Sequence, residues 1–547
     1  MAVSSLDPKF PGYVPRACRV AFTARNGMVA SAHPLASLSG LRVLLDGGNA
    51  VDAAVATAAT LNAVEPNMSG ALGVGQMLVR MANSDEVTAL DFGGRSPAAA
   101  TPEAFAGDTT IPRDDIRSSL VPANLGGWLA ALERFGSMDR ARVFRDVIDY
   151  AENGFPLTEG NAGWISTNRT RLEKFDTSRQ LYSDNPEPVP GAIFRQPQLA
   201  ESYREFVAEG ADALYGGAVG EEVARYCQDQ GGLIAREDLV RPNVRWTEPI
   251  RTRFRDYDIV TMPSPSMGIQ ILITLNLMEG FDTRALGHNS AAYLHVLIES
   301  IKLASVDRAE YATQLDVPKD GLLSKEYAAQ RRDVIDRRRA ADSPGERWSG
   351  AGSLVAGRPG DPGHTTYLCT SDRAGSVVSM TQSLGNAFGC GAIAGETGLF
   401  LNDFAWWFDL EPGSPNRIAP NTPVEQCLSP CMVFKDGQFL MAIGTPGGHG
   451  IPQTTSQMLL NVLDFGMSVQ EAIEAPRIRV FEGIHVDIEN RVPEGVRVEL
   501  EALGHSLTVL PAFHWGVGGG QALYQVPESG AFIGGADPRR DGYTMGW

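Results

Sequence analysis

The sequence predicts an α+β protein, because apolar residues follow helical spacing through much of the first two thirds of the chain and strand spacing after residue 364. From Pro34 to Leu45 they recur at helical intervals, and Gly47-Gly48 stops that helix because glycine accepts the left-handed C-terminal turn. Asn49 can cap a second helix running from about Ala50 to Ala63, whose Ala and Val residues occupy nearly every face, as in a helix buried between layers. Beyond residue 364 the run Thr365-Thr366-Tyr367-Leu368-Cys369-Thr370 reads as a strand, Asp372 to Gly375 as its turn, and Ser376 to Thr381 as the hairpin partner.

The intervening elements follow by the same rules. A long helix begins after Asn289 or Ser290, with Leu294, Leu297, Ile298, Ile301 and Ser305 along one face; His295 on it has no ligand-spaced partner. A charged helix from Lys325 to Arg347 gives way to GAGSLVAGRPGDPG at 350–363, which predicts an exposed, mobile loop. Cys431 to Phe434 and Phe439 to Ile443 flank Lys435-Asp436-Gly437 as a second hairpin. The glycine loop Gly444-Thr445-Pro446-Gly447-Gly448-His449-Gly450 follows, then a helix with Pro452 in its first turn that lasts to Gly466.

A chain of 547 residues has room for three or four domains at roughly 150 residues each, or for one interwoven core. Its formal charge of −18 repels polyanions, which argues against nucleic acid and anionic lipid and for a small-molecule partner. Ala50 to Val64 is broken by Asp52 and is shorter than the roughly 20 residues of a membrane span, so no membrane association is expected. The N-terminal stretch carries Asp7, Lys9 and prolines where a secretory signal needs an apolar core, so the expected location is cytoplasmic. Six cysteines in this length are too sparse for a disulfide scaffold and are expected to be reduced and mostly buried.

The chemistry is narrowed first by missing motifs. There is no GxGxxG after a strand, no Walker lysine, no HExxH and no GxSxG elbow. Cys427 and Cys431 form a lone CxxxC without a clustered histidine, so neither a metal nor an organic cofactor is expected. None of the histidines stands in an evident triad, which directs attention to a base that is not a side chain. If the bond between His364 and Thr365 were cut, Thr365 would present a hydroxyl nucleophile and, on the same residue, a free amine to take its proton. An α-amino group titrates near 7.7–8.0 and so suits neutral-pH catalysis with little tuning. The strand–GTPGGHG–helix arrangement adds backbone N–H groups at a helix N-terminus, where Gly447 and Gly448 can meet developing negative charge. Taken alone, each feature also fits an ordinary strand start and an ordinary tight turn.

The run GHTTYLCTSDRAGSVVSMTQSLGNAFGCGAIAGETGLFLND resembles the segment at which gamma-glutamyltransferases, members of the N-terminal nucleophile hydrolases, cut themselves. Further matches lie in order along the chain: SAHPLAS, GLRVLLDGGNAVDAAVATAATLNAVEP, GGLIAREDL, MPSPSMG, LSPCMVFKDGQ, GTPGGHG and ADPRRDG. The resemblance implies a four-layer αββα sandwich and self-cleavage before Thr365 into a large part, 1–364, and a small part, 365–547. These parts stay associated as one structural unit, with further homo-oligomerisation left open. It places the nucleophile at Thr365, a hydroxyl that helps position its amine at Ser383, and the oxyanion hole at Gly447 and Gly448.

The pattern departs from the family where the donor is held. Family members bind a zwitterionic glutamyl group with an arginine for its carboxylate and an acid for its amine. Here Gly93 falls at the arginine position, leaving Arg95 as a displaced substitute, and Trp407 falls at the acid, with Asn402 and Asp403 before it and Phe404 at another polar contact. Gln426 and Cys427 replace a Ser-Ser pair, Gly385 replaces an Asn beside Asn386, and Tyr367 stands where some relatives have histidine. An ammonium buried without its acid is costly. The expectation is therefore an amidohydrolase or acyltransferase acting on a small-molecule amide other than a free γ-glutamyl compound, as in oxamate amidohydrolase and certain cephalosporin acylases. The rivals are authentic γ-glutamyl transfer using Arg95, Asp403 and Asp409, and an uncleaved binding homologue.

Overall fold

A computed structural model describes residues 17–342 and 364–547. Fourteen strands form two seven-stranded sheets. In chain order these strands are β1 (Phe22–Ala24), β2 (Met28–Ser31), β3 (Val74–Arg80), β4 (Val87–Phe92), β5 (Arg245–Thr247), β6 (Ile250–Phe254) and β7 (Tyr257–Thr261). They continue as β8 (Thr366–Ser371), β9 (Val377–Ser383), β10 (Cys431–Lys435), β11 (Gln438–Gly444), β12 (Gln521–Gln525), β13 (Phe532–Ala536) and β14 (Tyr543–Gly546). One sheet runs β1-β13-β12-β11-β10-β7-β6 and the other β14-β2-β8-β9-β3-β4-β5, and every pairing in both is antiparallel.

Alternation along the strands assigns the layers, since successive side chains leave opposite faces of a sheet. On β8, Leu368 packs outward with the helix Ala50–Val64, while Tyr367 and Cys369 pack inward against Met432 and Ala442 of the other sheet. On the far side Val433, Met441 and Ile443 face the helices Gly268–Met278, Ala291–Ala309 and Gly450–Leu463. The result is helix, sheet, sheet, helix, the expected four-layer sandwich. Both parts of the chain supply strands to both sheets, so residues before and after 364 share one core.

Local chemistry explains why the central helix sits where it does. Asn49 accepts from the N–H groups of Val51 and Asp52 while Asp52 returns the bond to the Asn49 N–H, a complete capping box. Asp372 in the β8–β9 turn accepts from Ala374, Gly375 and Ser376 and, through its other oxygen, from the Ala50 N–H at 3.1 Å. A carboxylate that closes a hairpin and also meets the N-terminus of the buried helix fixes the two together.

Two helix bounds need correction. The charged helix ends at Arg332 rather than Arg347, because beyond Ala328 it has no apolar face to bury. The helix after the glycine loop begins at Gly450 and ends at Leu463. The stretch 350–363 lies outside the described residues. Cys18 is exposed while the other five cysteines are buried and free. Among the described residues no helix is long and apolar enough to cross a membrane.

Candidate active site

Thr365 immediately precedes β8 at the edge of the inter-sheet core and is buried with its neighbour His364. Its hydroxyl lies against the His364 carbonyl oxygen and within 3.1 Å of Ser383 Oγ at the end of β9. The antiparallel register produces this meeting, since Thr366 pairs with Gln382 and the next residue out on each strand is Thr365 and Ser383. Ser383 Oγ in turn accepts from the Gly385 N–H at 3.0 Å. One expected pair is thereby brought together by strand pairing alone.

The glycine loop arrives from β11. Gly447 and Gly448 hold φ values of +145° and +57°, a region that L side chains rarely adopt, and the loop closes tightly as Gly450 and Ile451 donate to the carbonyls of Gly447 and Gly448 at 2.9 Å each. His449 precedes the helix without a side-chain cap, so the first-turn N–H groups are not claimed from that position. Gly519 steadies the loop by donating to Thr445 Oγ1 at 2.9 Å. The same Gly519 leaves room for the Arg540 side chain, because a Cβ there would stand 2.6 Å from Arg540 Cδ. Arg540 reaches across to donate to the Thr365 carbonyl at 3.4 Å. Opposite it, buried Glu65 is pushed up to about 7 by desolvation, a rise that the Arg540 charge opposes.

The residues expected to touch a donor divide into two groups. Trp407 stacks on His449 with ring centroids 4.4 Å apart and lies tilted against Trp406 at 4.7 Å, which places an aromatic wall beside the glycine loop. Phe404, Trp407 and Cys427 share one apolar cluster with Ile451 of the loop's helix. The Cys427 thiol is pushed up to about 12 by burial and is inert there. Asp403 lies close to Ser383 in the chain of contacts, accepting from the Asn386 backbone at 2.8 Å and from its side chain at 2.5 Å. Desolvation raises this carboxyl to about 6, against the pull of Arg171 and Arg113.

Arg95 and Asn402 do not keep their expected roles. The Arg95 guanidinium donates to Asn421 at 2.9 Å and to the Asp238 carbonyl at 3.2 Å, with the Asp238 carboxylate 3.8 Å away, so it braces a loop. Asn402 spends both donors on the carbonyls of Leu72 and Leu120 and its oxygen on the N–H groups of Leu120 and Phe404, leaving nothing for a ligand. Gln426 instead fills the space opened by Gly93: a Cβ at residue 93 would lie 1.7 Å from Gln426 Nε2. Likewise a Cβ at Gly385 would lie 1.9 Å from Asp403 Oδ1. Each missing side chain is thus compensated by a polar group reaching in from elsewhere. Tyr367 donates to or accepts from Ser379 Oγ at 2.8 Å and lies flat under Gly444, whose Cβ would meet the ring at 2.4 Å.

His295, which spacing alone left without a partner, meets His505 and Glu299 in a buried cluster. His295 Nδ1 and His505 Nε2 are 2.8 Å apart, the separation of a shared proton, and Lys302 already pairs with Glu299 at 2.6 Å. This polar network ties the long helix to the Asp336 and Ala341 carbonyls.

The gamma-glutamyltranspeptidase family model matches residues 36–547. The acylase ACY 1 proenzyme of Pseudomonas sp. (strain SE83) is 36% identical over 534 residues, covering 94% of this chain and 93% of that one. The glutathione hydrolase proenzyme of Escherichia coli (strain K12) is 34% identical over 552 residues, covering 96% and 92%. Among solved structures, cephalosporin acylase from Bacillus halodurans superposes with a TM-score of 0.88 at 30% identity, covering 99% of each chain. A four-layer fold, a hydroxyl poised at a strand start and full-length similarity to acylases and glutathione hydrolases agree: the chain belongs to the gamma-glutamyltranspeptidase family and is an N-terminal nucleophile amidohydrolase or acyltransferase.

Proposed function

We propose that Thr365 is the nucleophile both of a single self-cleavage and of the amide hydrolysis that follows. In the first step Thr365 Oγ1 bonds to the His364 carbonyl carbon while the C–N bond to Thr365 breaks, its nitrogen taking the hydroxyl proton. Water then opens the ester, leaving a His364 carboxylate and a Thr365 that carries a free amine and a hydroxyl. In turnover that amine takes the hydroxyl proton, Oγ1 attacks the substrate carbonyl, the leaving amine departs with the proton, and water releases the acid. The N–H groups of Gly447 and Gly448 are assigned to the oxyanion, a role typically worth 10²–10³ in rate per donor. The observation that carries this reading is the contact of the Thr365 hydroxyl with the His364 carbonyl on one side and Ser383 Oγ on the other.

Ser383 acts by position. Ser383→Ala is expected to slow turnover by about 10–100-fold, within the range of a lost positioning hydrogen bond, while leaving the melting temperature within a few degrees. Equal turnover by this variant, measured on a protein that has fully matured, sinks the assignment.

The donor is an amide other than a free γ-glutamyl compound. Gln426 occupies the space of a side chain at 93, Trp407 faces His449, and the Arg95 guanidinium is committed to Asp238 and Asn421, so the pocket lacks a ready pair for a zwitterion. The acylase relatives support this reading, which leaves the authentic γ-glutamyl alternative weaker. Release of p-nitroaniline from γ-glutamyl-p-nitroanilide is expected to be at least about tenfold less efficient, in kcat/KM, than from the best amide of a panel. Equal efficiency rejects it.

A further inference from the structure

The buried cluster on the long helix Ala291–Ala309 takes no part in the reaction described above. His295, Glu299 and Lys302 follow one another at intervals of four and three residues, which puts them on one face of the helix. His505, just beyond the helix Glu494–Ala502, meets that face, and all four residues are 3% exposed or less. They lie in the helix layer outside the sheets, apart from the inter-sheet core beside Thr365. The hydrogen bonds fix which nitrogens are available. A carbonyl only accepts, so His295 Nε2, 2.8 Å from the Asp336 carbonyl oxygen, carries a proton, and in the neutral ring Nδ1 is a bare lone pair. That lone pair faces His505 Nε2 at 2.8 Å, while His505 Nδ1 has no hydrogen-bond partner among the described residues. One ligand atom from each of His295, Glu299 and His505 lies within 4.8 Å of the other two. Lys302 meets the Glu299 carboxylate at 2.6 Å, donates to the Ala341 carbonyl at 2.6 Å and feels the charge of Asp342 as well. A carboxylate accepts from several directions, so Glu299 can serve Lys302 and a second cation together.

We infer that His295 Nδ1, His505 Nε2 and a Glu299 oxygen form a binding site for a divalent transition-metal ion of the zinc type, which staples the large part of the chain to the small part. Two imidazoles and a carboxylate are donors this class of ion takes, with water in the fourth position. A ring whose far N–H is pinned to a carbonyl, as His295 is by Asp336, is the usual support of a ligating histidine. Without an ion a proton joins the two facing nitrogens; when the ion takes its place, that proton moves to the vacant His505 Nδ1. Nitrogens bound at 2.0–2.1 Å to a tetrahedral ion stand about 3.3 Å apart, so the rings have to part by about 0.5 Å. His295 and Glu299 precede residue 364 and His505 follows it, so the ion joins the two sides of the cut. The segment before the cut is held at the same place, since the Ala340 N–H donates to the Leu503 carbonyl at 2.7 Å beside His505. The stapling role rests on cleavage before Thr365, whereas the site itself does not, and the uncleaved Thr365→Ala chain is expected to bind the ion equally.

The test strips the mature enzyme with EDTA, desalts it and titrates it with Zn2+, reading bound metal by elemental analysis and affinity by calorimetry. The expected result is one ion per chain with micromolar or tighter affinity. At free Zn2+ about 100-fold above Kd, the urea unfolding equilibrium of the associated fragments is expected to shift toward the folded pair by about 100-fold. His505→Gln and Glu299→Gln are each expected to weaken binding by at least about tenfold. A wild type that retains no stoichiometric zinc overturns the inference, as does a His505→Gln protein that binds as tightly, which marks an adventitious surface ion. If the variants do not fold, X-ray absorption of the zinc-loaded wild type decides: two imidazole ligands uphold the site and fewer overturn it. Equal urea resistance in Zn2+ and in EDTA, in a protein that binds the ion, overturns the stapling role. Binding by a wild type that stays uncleaved upholds the site and rejects the maturation reading instead, so the two failures are told apart.

Discussion

Thr365→Ala is expected to leave a single chain of 58.7 kDa on a denaturing gel, and the wild type to yield two fragments, 1–364 and 365–547, that separate only under denaturing conditions. Without the hydroxyl no ester can form at the His364 carbonyl, and without the cut no free amine exists at residue 365 to serve as base. One substitution therefore removes both halves of the machinery, and amidase activity is expected to drop by roughly 10⁴-fold or more, the scale on which nucleophile losses fall. Mass spectrometry of the two proteins measures the first effect, and steady-state release of p-nitroaniline the second. Because the side chain lost is small and β8 retains its pairing through Thr366 to Ser371, the variant is expected to keep the fold. An intact wild-type chain that hydrolyses amides at full rate, or a cleaved and active Thr365→Ala, contradicts the mechanism.

The layered fold was readable where a segment's own side chains decide its burial. Ala50–Val64 carries Ala and Val on nearly every face and is buried all round, and the strand after 364 alternates Tyr367, Leu368 and Cys369 between two cores as period two requires. The Thr365–Ser383 pair is implied by the family resemblance rather than by the local pattern, whose hairpin partner stops at Thr381; the register of the folded hairpin brings the two together. What the sequence hid are partners set by tertiary packing across long separations. Arg540 reaches Thr365 from 175 residues away, Trp164 and Trp515 close on His364 from segments before and after it in the chain, and His505 meets His295 over 210 residues. The assignments of Arg95 and Asn402 failed for a related reason: each sits near the expected chain position, yet nearby acceptors and backbone groups take its hydrogen bonds first. Gln426 filling the space of Gly93 is invisible to any reading that treats positions singly, because a lost side chain and its replacement come from segments more than 300 residues apart.

Removing Asp537 is expected to be the most destabilising single change outside the reaction centre. Its carboxylate is fully buried between Arg477 at 2.8 Å and Arg539 at 3.1 Å, and accepts from the Gly520 N–H at 2.9 Å. Glu489 neutralises Arg539 and Arg491 at 2.7 Å each, so it has no capacity left to take over Arg477 as well. Asp537→Ala leaves a buried guanidinium short of its counter-charge, a defect that costs about 3–5 kcal/mol in comparable buried pairs. The two arginines hold the Asp537 carboxyl below its ordinary value near 3.8, against the desolvation that would raise it. A depressed carboxyl contributes stability that is present above the unfolded value and is lost as pH falls through the folded one. The gap between wild type and variant in urea unfolding is therefore expected to stay constant from pH 8 to about pH 5 and to narrow only below about pH 4. Asp537→Asn, which keeps an acceptor for Gly520 but not the charge, is expected to fall between the two. Gly520 adjoins Gly519, which braces the 444–450 glycine loop through Thr445, so maturation and turnover of Asp537→Ala should fall along with its stability. A variant as stable as the wild type at pH 7 shows that this network carries no net stability. Unchanged kinetics in a destabilised variant show instead that the 515–520 segment holds the loop without help from Asp537.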